Sequence, residues 1–385
     1  MPDPTALRRT VEARLPRYLD ELESLVNIDC GSYTPEGVNR VAGFVTDALR
    51  ELGADVERLP HSPTDGRPQL GDLVVGRLAG RGPRILLIGH MDTVFDPGTA
   101  SARPYRSDGE RAFGPGVTDM KAGLLAGLHA IAALQESGER PAVTFIANPD
   151  EEIGSPFSTP TIRSLAPDHD AVLVLECARA NGDIVSARKG IADFHVTLSG
   201  RAAHAGVEPE KGRSAILEAA HQVLALHDLN GRWPTVTVNS GVIHGGTRPN
   251  VVAERCELQV DLRAATLEAF EAASAEVERL AAAPSVEGVT IELRRTAGHP
   301  PMEKTDASAR LVALATSIAG ELGFELHDAA TGGASDANTT AALGIPTLDG
   351  LGPIGGDDHS VDEWLDLGSV LPRTTLLACL IGRLG

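Results

Sequence analysis

Apolar and polar positions alternate in two different ways along this chain. In the first half, apolar runs of strand length lie between segments of helical periodicity. The strand-like runs cover residues 54–59, 73–78, 85–88, 142–148 and 171–175. The helical patterns cover residues 10–28, 35–52, 121–135 and 159–164, and residues 95–117 are expected to form an irregular loop. Strands that alternate with helices predict an α/β fold with a parallel-rich sheet flanked by helices.

A different pattern begins near Lys189. A half-buried strand is predicted first, and a helix, two strands, a helix and a strand follow it, at 191–198, 214–226, 235–242, 256–262, 266–282 and 289–293. This β-α-β-β-α-β order is that of a ferredoxin-like α+β unit. From about residue 305 the chain returns to helices, the last at 371–384. We therefore predict a large domain formed by residues 1–188 and 301–385, with residues 189–300 inserted as a smaller domain.

Several apolar runs of the first half end in side chains that bind metals. His90 and Asp92 follow the run at 85–88, Glu151 and Glu152 follow the run at 142–148, and Glu176 follows the run at 171–175. In open α/β sheets, sites are built at the carboxyl ends of the strands. The sequence therefore predicts that these side chains converge, and it favours a hydrolase with two metal ions.

His90 and Asp119 each have a simpler alternative. A lone histidine after a strand is usually a surface residue, but Asp92 lies two positions on and can hold one imidazole nitrogen while the other binds metal. Asp119 precedes a predicted helix, where an aspartate is usually an N-cap. The Gly-Pro-Gly segment at 114–116 permits an unusual turn, so the Asp119 carboxylate can instead face inward and bridge two cations.

The neighbouring glutamates suggest two roles in catalysis. In extended backbone Glu151 and Glu152 would point in different directions, so one can bind metal while the other acts as a base. We assign Glu152 as the ligand and Glu151 as the base. Glu176 ends a buried run and needs a partner, and His359 lies between acidic and glycine residues. Nitrogen and oxygen donors without thiolate suit Zn²⁺, with Co²⁺ or Mn²⁺ as substitutes.

Bulk properties exclude some partners. The 385 residues carry 34 basic and 53 acidic side chains, a net charge of −19, which argues against nucleic acid or an anionic membrane. Four scattered cysteines suit a reducing compartment. The first residues lack the apolar core of a signal peptide, and no apolar run approaches the roughly 18 residues of a membrane span. We expect a cytoplasmic protein.

From about residue 15 onwards the chain resembles the zinc peptidase family that includes bacterial glutamate carboxypeptidase, acetylornithine deacetylase and succinyl-diaminopimelate desuccinylase. It is most similar to the glutamate carboxypeptidase branch. The motifs are Gly-His-Met-Asp-Thr-Val (89–94), Gly-Pro-Gly-Val-Thr-Asp-Met-Lys-Ala-Gly (114–123), Asp-Glu-Glu-Ile-Gly-Ser (150–155), Ser-Gly-Arg-Ala-Ala-His-Ala-Gly (199–206), Arg-Pro-Asn-Val-Val-Ala (248–253) and Gly-Gly-Ala-Ser-Asp-Ala-Asn (332–338).

The resemblance implies a residue-by-residue assignment of the metal centre. It implies two Zn²⁺ per subunit, one on His90 and Glu176 and one on Glu152 and His359, with Asp119 bridging them. It also implies a cis peptide bond after Asp119, Glu151 as general base, and Asp92 behind His90.

The resemblance also implies a homodimer whose inserted domain forms both the interface and a lid. His204 on that lid would reach the partner's site and polarise the scissile carbonyl. The implied groups for a substrate carboxylate are Asn250, Arg263, Gly332 and Gly333, with Lys189 as a further candidate. The chain departs from the glutamate carboxypeptidase pattern at His299, where that branch carries an arginine, so a glutamyl side chain would lose a bidentate partner.

The leading hypothesis is hydrolysis, by a metal-activated water, of an amide bond beside a free carboxylate, in an N-acyl amino acid, a C-terminal amino acid conjugate or a dipeptide. One alternative is an N-acetyl or N-succinyl amino acid deacylase of biosynthesis. An alternative of another class is an inactive protein that binds metal and ligand on the same fold, although such a protein has no need of Glu151. A metal-dependent isomerase or phosphatase would need a basic phosphate clamp near the ligands, which the sequence does not offer.

Overall fold

The computed structural model describes residues 3–63 and 66–384, and these form two compact units. The first unit contains the described residues of 1–186, 304–330 and 335–385. The second contains Ala187–Glu303 and Thr331–Ala334.

The elements of the first 188 residues match most of the predicted pattern. In chain order they are α1 (Pro4–Val26), α2 (Pro35–Glu51), β1 (Asp55–Leu59), β2 (Leu73–Leu78), β3 (Arg81–His90), α3 (Thr99–Ala102), β4 (Arg106–Ser107), β5 (Arg111–Phe113), α4 (Ala122–Glu136), β6 (Pro141–Asn148), α5 (Thr159–Leu165), β7 (Ala171–Val174) and β8 (Ile184–Arg188). Helix α1 begins earlier than expected because Asp3 caps it, accepting a hydrogen bond from the Thr5 backbone N–H, with Pro4 at the first helical position.

The second unit consists of β9 (Gly190–Ser199), α6 (Ala215–His227), β10 (Thr237–Gly245), β11 (Arg255–Ala264), α7 (Leu267–Ala281) and β12 (Thr290–His299). Its four strands form an antiparallel sheet in the order β10-β11-β9-β12. The strand alternation buries one face under α6 and α7, where Phe194, Leu258 and Phe270 belong to the core. The predicted ferredoxin-like unit is therefore confirmed.

The chain then continues through α8 (Asp306–Leu322), β13 (Asp328–Thr331), α9 (Asp336–Ala342), β14 (Thr347–Leu348), β15 (Gly355–Gly356), β16 (Trp364–Asp366) and α10 (Leu367–Leu384). The central sheet of the first unit has the order β1-β2-β6-β3-β7-β14. Strands β6, β3, β7 and β14 are parallel, β2 pairs antiparallel with β6, and β1 pairs antiparallel with β2. Its central strands are buried, as the continuous apolar runs predict for a sheet covered on both faces.

The prediction of an irregular loop over residues 95–117 is wrong in part. This segment contains α3, β4 and β5, and β5 pairs with β16 in a small antiparallel sheet. Strands of two or three residues show no local periodicity, and their partners lie some 250 residues away in the sequence. Strands β14 to β16 are also only two or three residues long and were missed, as were the longer strands β8 and β13.

Two helical segments are long and apolar enough to cross a membrane by length and composition alone, Val117–Glu136 and Leu367–Leu384. Their most apolar windows are 94% and 61% buried within the protein. Core helices meet the same criteria, so these two segments are weak evidence for a membrane span.

Candidate metal centre and active site

The carboxyl ends of β3, β6 and β7 meet at one edge of the central sheet. Strand β3 ends at His90, which is 1% exposed, and Glu176 follows β7 and is also buried. Strand β6 ends at Asn148 and leads into the turn that carries Glu151 and Glu152. Because β6, β3 and β7 are parallel neighbours, these side chains are delivered to the same place.

Asp119 is positioned by an irregular turn before α4. The bond between Asp119 and Met120 is the cis peptide that the family resemblance implies. Gly116 has a φ of 72°, and a Cβ there would lie 2.6 Å from Thr93 Cγ2. The buried carboxylate of Glu363 accepts hydrogen bonds from the backbone N–H groups of Gly116, Thr118 and Asp119, at 2.8, 2.9 and 3.1 Å. The turn is therefore held in place by Glu363, which lies almost 250 positions away in the sequence.

The Asp119 carboxylate lies between two histidines. Its Oδ1 is 3.0 Å from His90 Nε2, and its Oδ2 is 3.2 Å from His359 Nε2. A further carboxylate lies near the same nitrogen of each histidine: Glu176 Oε1 is 3.7 Å from His90 Nε2, and Glu152 Oε2 is 3.0 Å from His359 Nε2. The five predicted ligands thus form one continuous cluster with Asp119 at its middle.

Asp92 connects His90, at the end of β3, with the turn that carries Glu151 and Glu152. Its carboxylate accepts a hydrogen bond from the Ser32 hydroxyl at 2.6 Å and from the backbone N–H groups of Glu151 and Glu152 at 3.1 and 3.2 Å. His90 Nδ1 lies 3.0 Å from the Asp92 carbonyl oxygen and 3.5 Å from its Oδ1. The nearest acceptor for His90 Nδ1 is therefore the backbone carbonyl of Asp92, and the Asp92 carboxylate mainly orders the turn that carries Glu151 and Glu152.

Glu151 and Glu152 were predicted to lie in extended backbone, and that prediction is wrong. Glu151–Ile153 forms a 3₁₀ turn, which separates successive side chains by about 120° and so still directs them apart. Burial raises the pKa of Glu151 well above its usual range, and the neighbouring charge of Glu176 raises it further. Burial also raises the pKa of Glu152, against the opposing effect of its contact with His359.

The charges of the cluster fit a site for cations. Burial opposes protonation of His90, yet Glu176, Asp119 and Asp92 raise its pKa well above the usual value. Contacts with Asp119 and Glu152 raise the pKa of His359 to about 11. These carboxylates therefore attract protons onto the histidines, and a bound cation would neutralise the same charges.

The distances between the possible ligand atoms also fit a site for cations. The donor atoms of His90, Glu151 and Glu176 all lie within 4.8 Å of one another. The same holds for the donor atoms of a second set, from His90, Asp119 and Glu152. Glu152 Oε1 is buried and has no hydrogen-bond partner among the residues that the structure describes. Imidazole and carboxylate donors of this kind suit Zn²⁺, Co²⁺ or Mn²⁺.

Comparison with known proteins identifies the family. The model of peptidase family M20/M25/M40 matches residues 86–383. The chain belongs to this peptidase family. Carboxypeptidase G2 of Pseudomonas sp. (strain RS-16) is 33% identical over 376 residues, which are 96% of this chain and 90% of the relative. Succinyl-diaminopimelate desuccinylase of Gluconacetobacter diazotrophicus is 28% identical over 380 residues, 92% and 94% of the two chains.

The solved structure of aminopeptidase PepT from Bacillus cereus has the same fold as this M20 peptidase, with a TM-score of 0.76 at 24% identity. The match covers 96% of this chain and 98% of that one. The family and branch predicted from the motifs are therefore confirmed, and so is the fold class. Since M20 peptidases are metal-dependent hydrolases, the protein is a hydrolytic enzyme of the metallopeptidase type.

The predicted substrate groups of this M20 peptidase lie in the second unit, and the structure brings some of them together. His204 is exposed, and its Nδ1 accepts a hydrogen bond from the Gly206 N–H at 3.1 Å. The backbone carbonyl of Asn250 accepts one from the Ala205 N–H at 3.0 Å, so the His204 and Asn250 loops are adjacent.

Arg263 meets the glycine pair at 332–333. Its Nη1 donates to the Gly332 carbonyl at 2.9 Å, and its Nε lies 3.1 Å from Asp261 Oδ1. Arg188, which the sequence analysis did not single out, is buried and donates to the Gly333 carbonyl at 3.2 Å. Lys189, half-buried, is linked to the same segment through its backbone N–H and the Thr331 carbonyl.

Ser32 and Glu363 also support the site, although neither was predicted from the sequence. Both touch the metal centre only through other residues, Ser32 through Asp92 and Glu363 through the turn at Asp119. Neither lies in a pattern that distinguishes it from a surface serine or glutamate. Only the burial of Glu363, which is 1% exposed, marks it as part of the site.

Proposed function

We propose that this enzyme is a di-zinc amidohydrolase that cleaves an amide bond adjacent to a free carboxylate. Its substrates would be N-acyl amino acids, C-terminal amino acid conjugates or dipeptides. The observation that carries the proposal is the pair Glu151 and Glu152, of which Glu152 contacts His359 while Glu151 lies half-buried beside the donors of His90 and Glu176.

Five side chains would hold the metals. His90 and Glu176 would bind one zinc, Glu152 and His359 the other, and Asp119 would bridge them. The two oxygens of Asp119 already face different histidines, which supports the bridging role. The chemistry that such ions supply is activation of a water molecule and polarisation of the scissile carbonyl.

The chain's own residues would then move the proton. Glu151 would accept a proton from the attacking water as its oxygen bonds to the carbonyl carbon, and would donate it to the amine as the carbon–nitrogen bond breaks. Its raised pKa suits a group that must hold this proton between the two steps. His204, whose Nδ1 accepts from Gly206, carries its proton on Nε2 when neutral and would donate it to the developing oxyanion.

Arg263 would bind the substrate carboxylate, with Asn250, Gly332, Gly333 and Lys189 in supporting roles. We expect Arg263→Ala to raise KM about 10- to 100-fold for N-acyl amino acids with a free carboxylate, because a charge-assisted hydrogen bond is lost. For the corresponding amides the change should be small. Steady-state kinetics on matched pairs of N-acetyl, N-succinyl and N-aroyl amino acids and their amides, together with dipeptides, would measure this and test the proposed substrate class.

Arg255→Ala is a matched control, because Arg255 also lies on β11 and pairs with an acid two residues away, Glu257 at 2.7 Å. It should leave the KM values unchanged. Equal losses of Arg263→Ala on acids and amides would mean that Arg263 is structural.

We also propose that the enzyme is a homodimer in which His204 of one subunit serves the site of the other. Strand β10 is an edge of its sheet and exposes Ile243 by 52%. Helix α6 packs against β10 and exposes Leu217 and Leu224, seven residues apart, by 51% and 66%. Apolar side chains on one helix face beside an open strand edge favour an isologous two-fold interface.

Mixed dimers test this arrangement. Homodimers of Glu151→Gln and of His204→Ala should both be nearly inactive. Random reassortment of equal amounts yields half heterodimers, each with one intact and one doubly defective site, so about a quarter of wild-type activity should return. Native mass spectrometry would verify the heterodimers. Failure to complement would place His204 in the site of its own subunit, and a monomeric protein would remove the basis of the proposal.

The relatives leave one alternative within the same reaction class, a deacylase of N-acetyl or N-succinyl amino acids. A catalytically inactive binding protein is disfavoured by the half-buried carboxyl group of Glu151, because such a protein would not need it. We propose a cytoplasmic location, which the four cysteines support: all lie in the described part of the chain, and all are free and buried.

A further inference from the structure

His359 differs from the other four proposed ligands in its exposure. Its side chain is 53% exposed, whereas the most exposed of the other four, that of Asp119, is 14% exposed. His359 also lies outside the central sheet, in the loop of residues 357–363 between β15 and β16. A ligand on an exposed loop has few packed neighbours, so its position depends on the contacts that hold the loop.

The backbone of this loop is strained at two positions. Asp357 and His359 have φ angles of 57° and 61°, in the left-handed region that is unfavourable for residues with a Cβ. Such conformations persist where surrounding contacts fix them. Because the ligand is itself one of these residues, relaxation of the loop would move His359 Nε2 away from Asp119 and Glu152, which lie 3.2 and 3.0 Å from it.

Arg103 is attached to the loop immediately after His359. Its Nη1 donates hydrogen bonds to the carbonyl oxygens of Ser360 and Val361, at 3.3 and 3.0 Å. The positive charge of the donor makes such hydrogen bonds stronger than those between neutral groups. The guanidinium also lies 4.8 Å from the centre of the Phe95 ring, within the range of a cation–π contact. Arg103 therefore connects the two residues after the ligand with the segment that begins at Phe95.

Arg103 follows a helix whose start is fixed. Helix α3 precedes it directly, and the Asp29 carboxylate accepts hydrogen bonds from the backbone N–H groups of Gly98 and Ala100, at 2.9 and 2.7 Å. Each of the two carboxylate oxygens accepts one of these bonds, so they fix both the position and the direction of the first turn. This segment, which was predicted to be irregular, therefore gives the Arg103 side chain a defined origin.

The loop is also held on the side that precedes His359. Trp364 Nε1 donates a hydrogen bond to Asp357 Oδ2 at 3.0 Å, and the Arg111 guanidinium lies 4.0 Å from the centre of the Trp364 ring. Within the loop, the Ser360 hydroxyl donates to the Asp357 carbonyl at 2.7 Å. Trp364 therefore fixes a residue before the ligand, and Arg103 fixes the residues after it.

We propose that Arg103 is a positioning residue of the metal centre, which fixes the loop after His359 and so slows the loss of the cation held by Glu152 and His359. The inference rests on the proposed function, because it requires that this pair binds a metal. Arg103 acts through the backbone of residues 360 and 361 rather than on a metal or a substrate. His90 and Glu176 follow buried strands of the central sheet, so retention of the cation that they hold should not depend on Arg103.

The test compares Arg103→Ala with Arg106→Ala. Arg106 also lies over an aromatic ring, 3.7 Å from the centre of Phe113, so its replacement removes the same charge and a similar ring contact while the loop keeps its hydrogen bonds. Release of Zn²⁺ from the loaded enzyme to a chromophoric chelator should have two phases, one for each ion. Arg103→Ala should accelerate one phase about 10- to 100-fold, because it removes two hydrogen bonds from a charged donor, and leave the other unchanged. Arg106→Ala should leave both phases unchanged.

Two further results distinguish positioning from a general loss of structure. Arg103→Lys can still donate to the two carbonyls, so it should restore part of the wild-type release rate. Arg103→Ala should lose activity on dilution into metal-free buffer and regain the wild-type kcat in excess Zn²⁺, with KM unchanged. A variant that had lost its fold would not recover with added metal.

A measurement that needs no metal separates this inference from the proposed function. Amide hydrogen exchange of the full chain in the presence of chelator should be faster over residues 357–363 in Arg103→Ala than in the wild type or Arg106→Ala. If the wild type binds fewer than two ions while this difference is seen, the two-metal proposal fails and the role of Arg103 in fixing the loop stands. Equal exchange in all three proteins would overturn the inference. So would release of both ions from Arg103→Ala at the wild-type rates, or equal acceleration of both phases.

Discussion

Replacing Glu151 by glutamine is expected to lower kcat by roughly 10²–10⁴-fold, the usual contribution of a general acid–base group. Glutamine has the same shape but cannot take a proton from water. The backbone N–H of residue 151 would still donate to Asp92, so the turn should keep its form. Metal content and substrate KM should change little. Steady-state kinetics combined with elemental analysis of the purified variant would measure both.

Glu152→Gln should behave differently. Glu152 contacts His359 at 3.0 Å and has a buried oxygen without a partner among the described residues, so its loss should weaken metal binding. Because Glu151 also lies within 4.8 Å of the donors of His90 and Glu176, metal content must be measured together with the rate. Glu12→Gln, at an exposed position of α1, is a control for the charge change. If Glu151→Gln loses metal while Glu152→Gln retains it, the two assignments are reversed.

Exhaustive chelation should abolish hydrolysis, and Zn²⁺ or Co²⁺ should restore it. Asp119, Glu152 and Glu176 place three carboxylates around His90 and His359 and raise the pKa values of both histidines, and bound cations would neutralise the same negative charge. Metals that bind only the folded protein also stabilise it, by about 2.7 kcal/mol at a free concentration of 100 times Kd. The melting temperature should therefore fall on chelation and recover with the activity.

The number of metal ions bound per chain tests whether Asp119 bridges two of them. We expect two metal ions per chain in the fully loaded enzyme, and Asp119→Asn should reduce that number, because an amide cannot supply two anionic oxygens. A single ion per chain in the loaded wild type would contradict the bridging role of Asp119. Full activity after verified metal removal would contradict the di-zinc proposal itself.

Much of this architecture is visible in local patterns. The strands that precede or contain the ligands His90, Glu152 and Glu176 are apolar runs bounded by polar residues, and a buried strand of this kind has few alternatives. Each run is followed within about five residues by its ligand, near the place where the strand ends. Helix α4 and the ferredoxin-like unit were predictable for the same reason, since their periodicities extend over many residues.

Short elements with distant partners were not predictable. Strand β5 exists because β16 pairs with it, and β14 because it adds to β7. In each case the free energy that orders two or three residues comes from a contact made far along the chain. The segment itself therefore carries no period that would indicate a strand.

The sequence by itself determined the fold class, the family and the set of candidate ligands, because these depend on long periodicities and on motifs of contiguous residues. The tertiary structure alone decided which atoms meet. It directed the Asp92 carboxylate to Ser32 and to the N–H groups of Glu151 and Glu152, and it buried Glu363 beneath the turn at Asp119. Such contacts join residues between 59 and 247 positions apart. A hydrogen bond depends on tenths of an ångström between atoms that only the packed core brings together, and no local pattern records that distance.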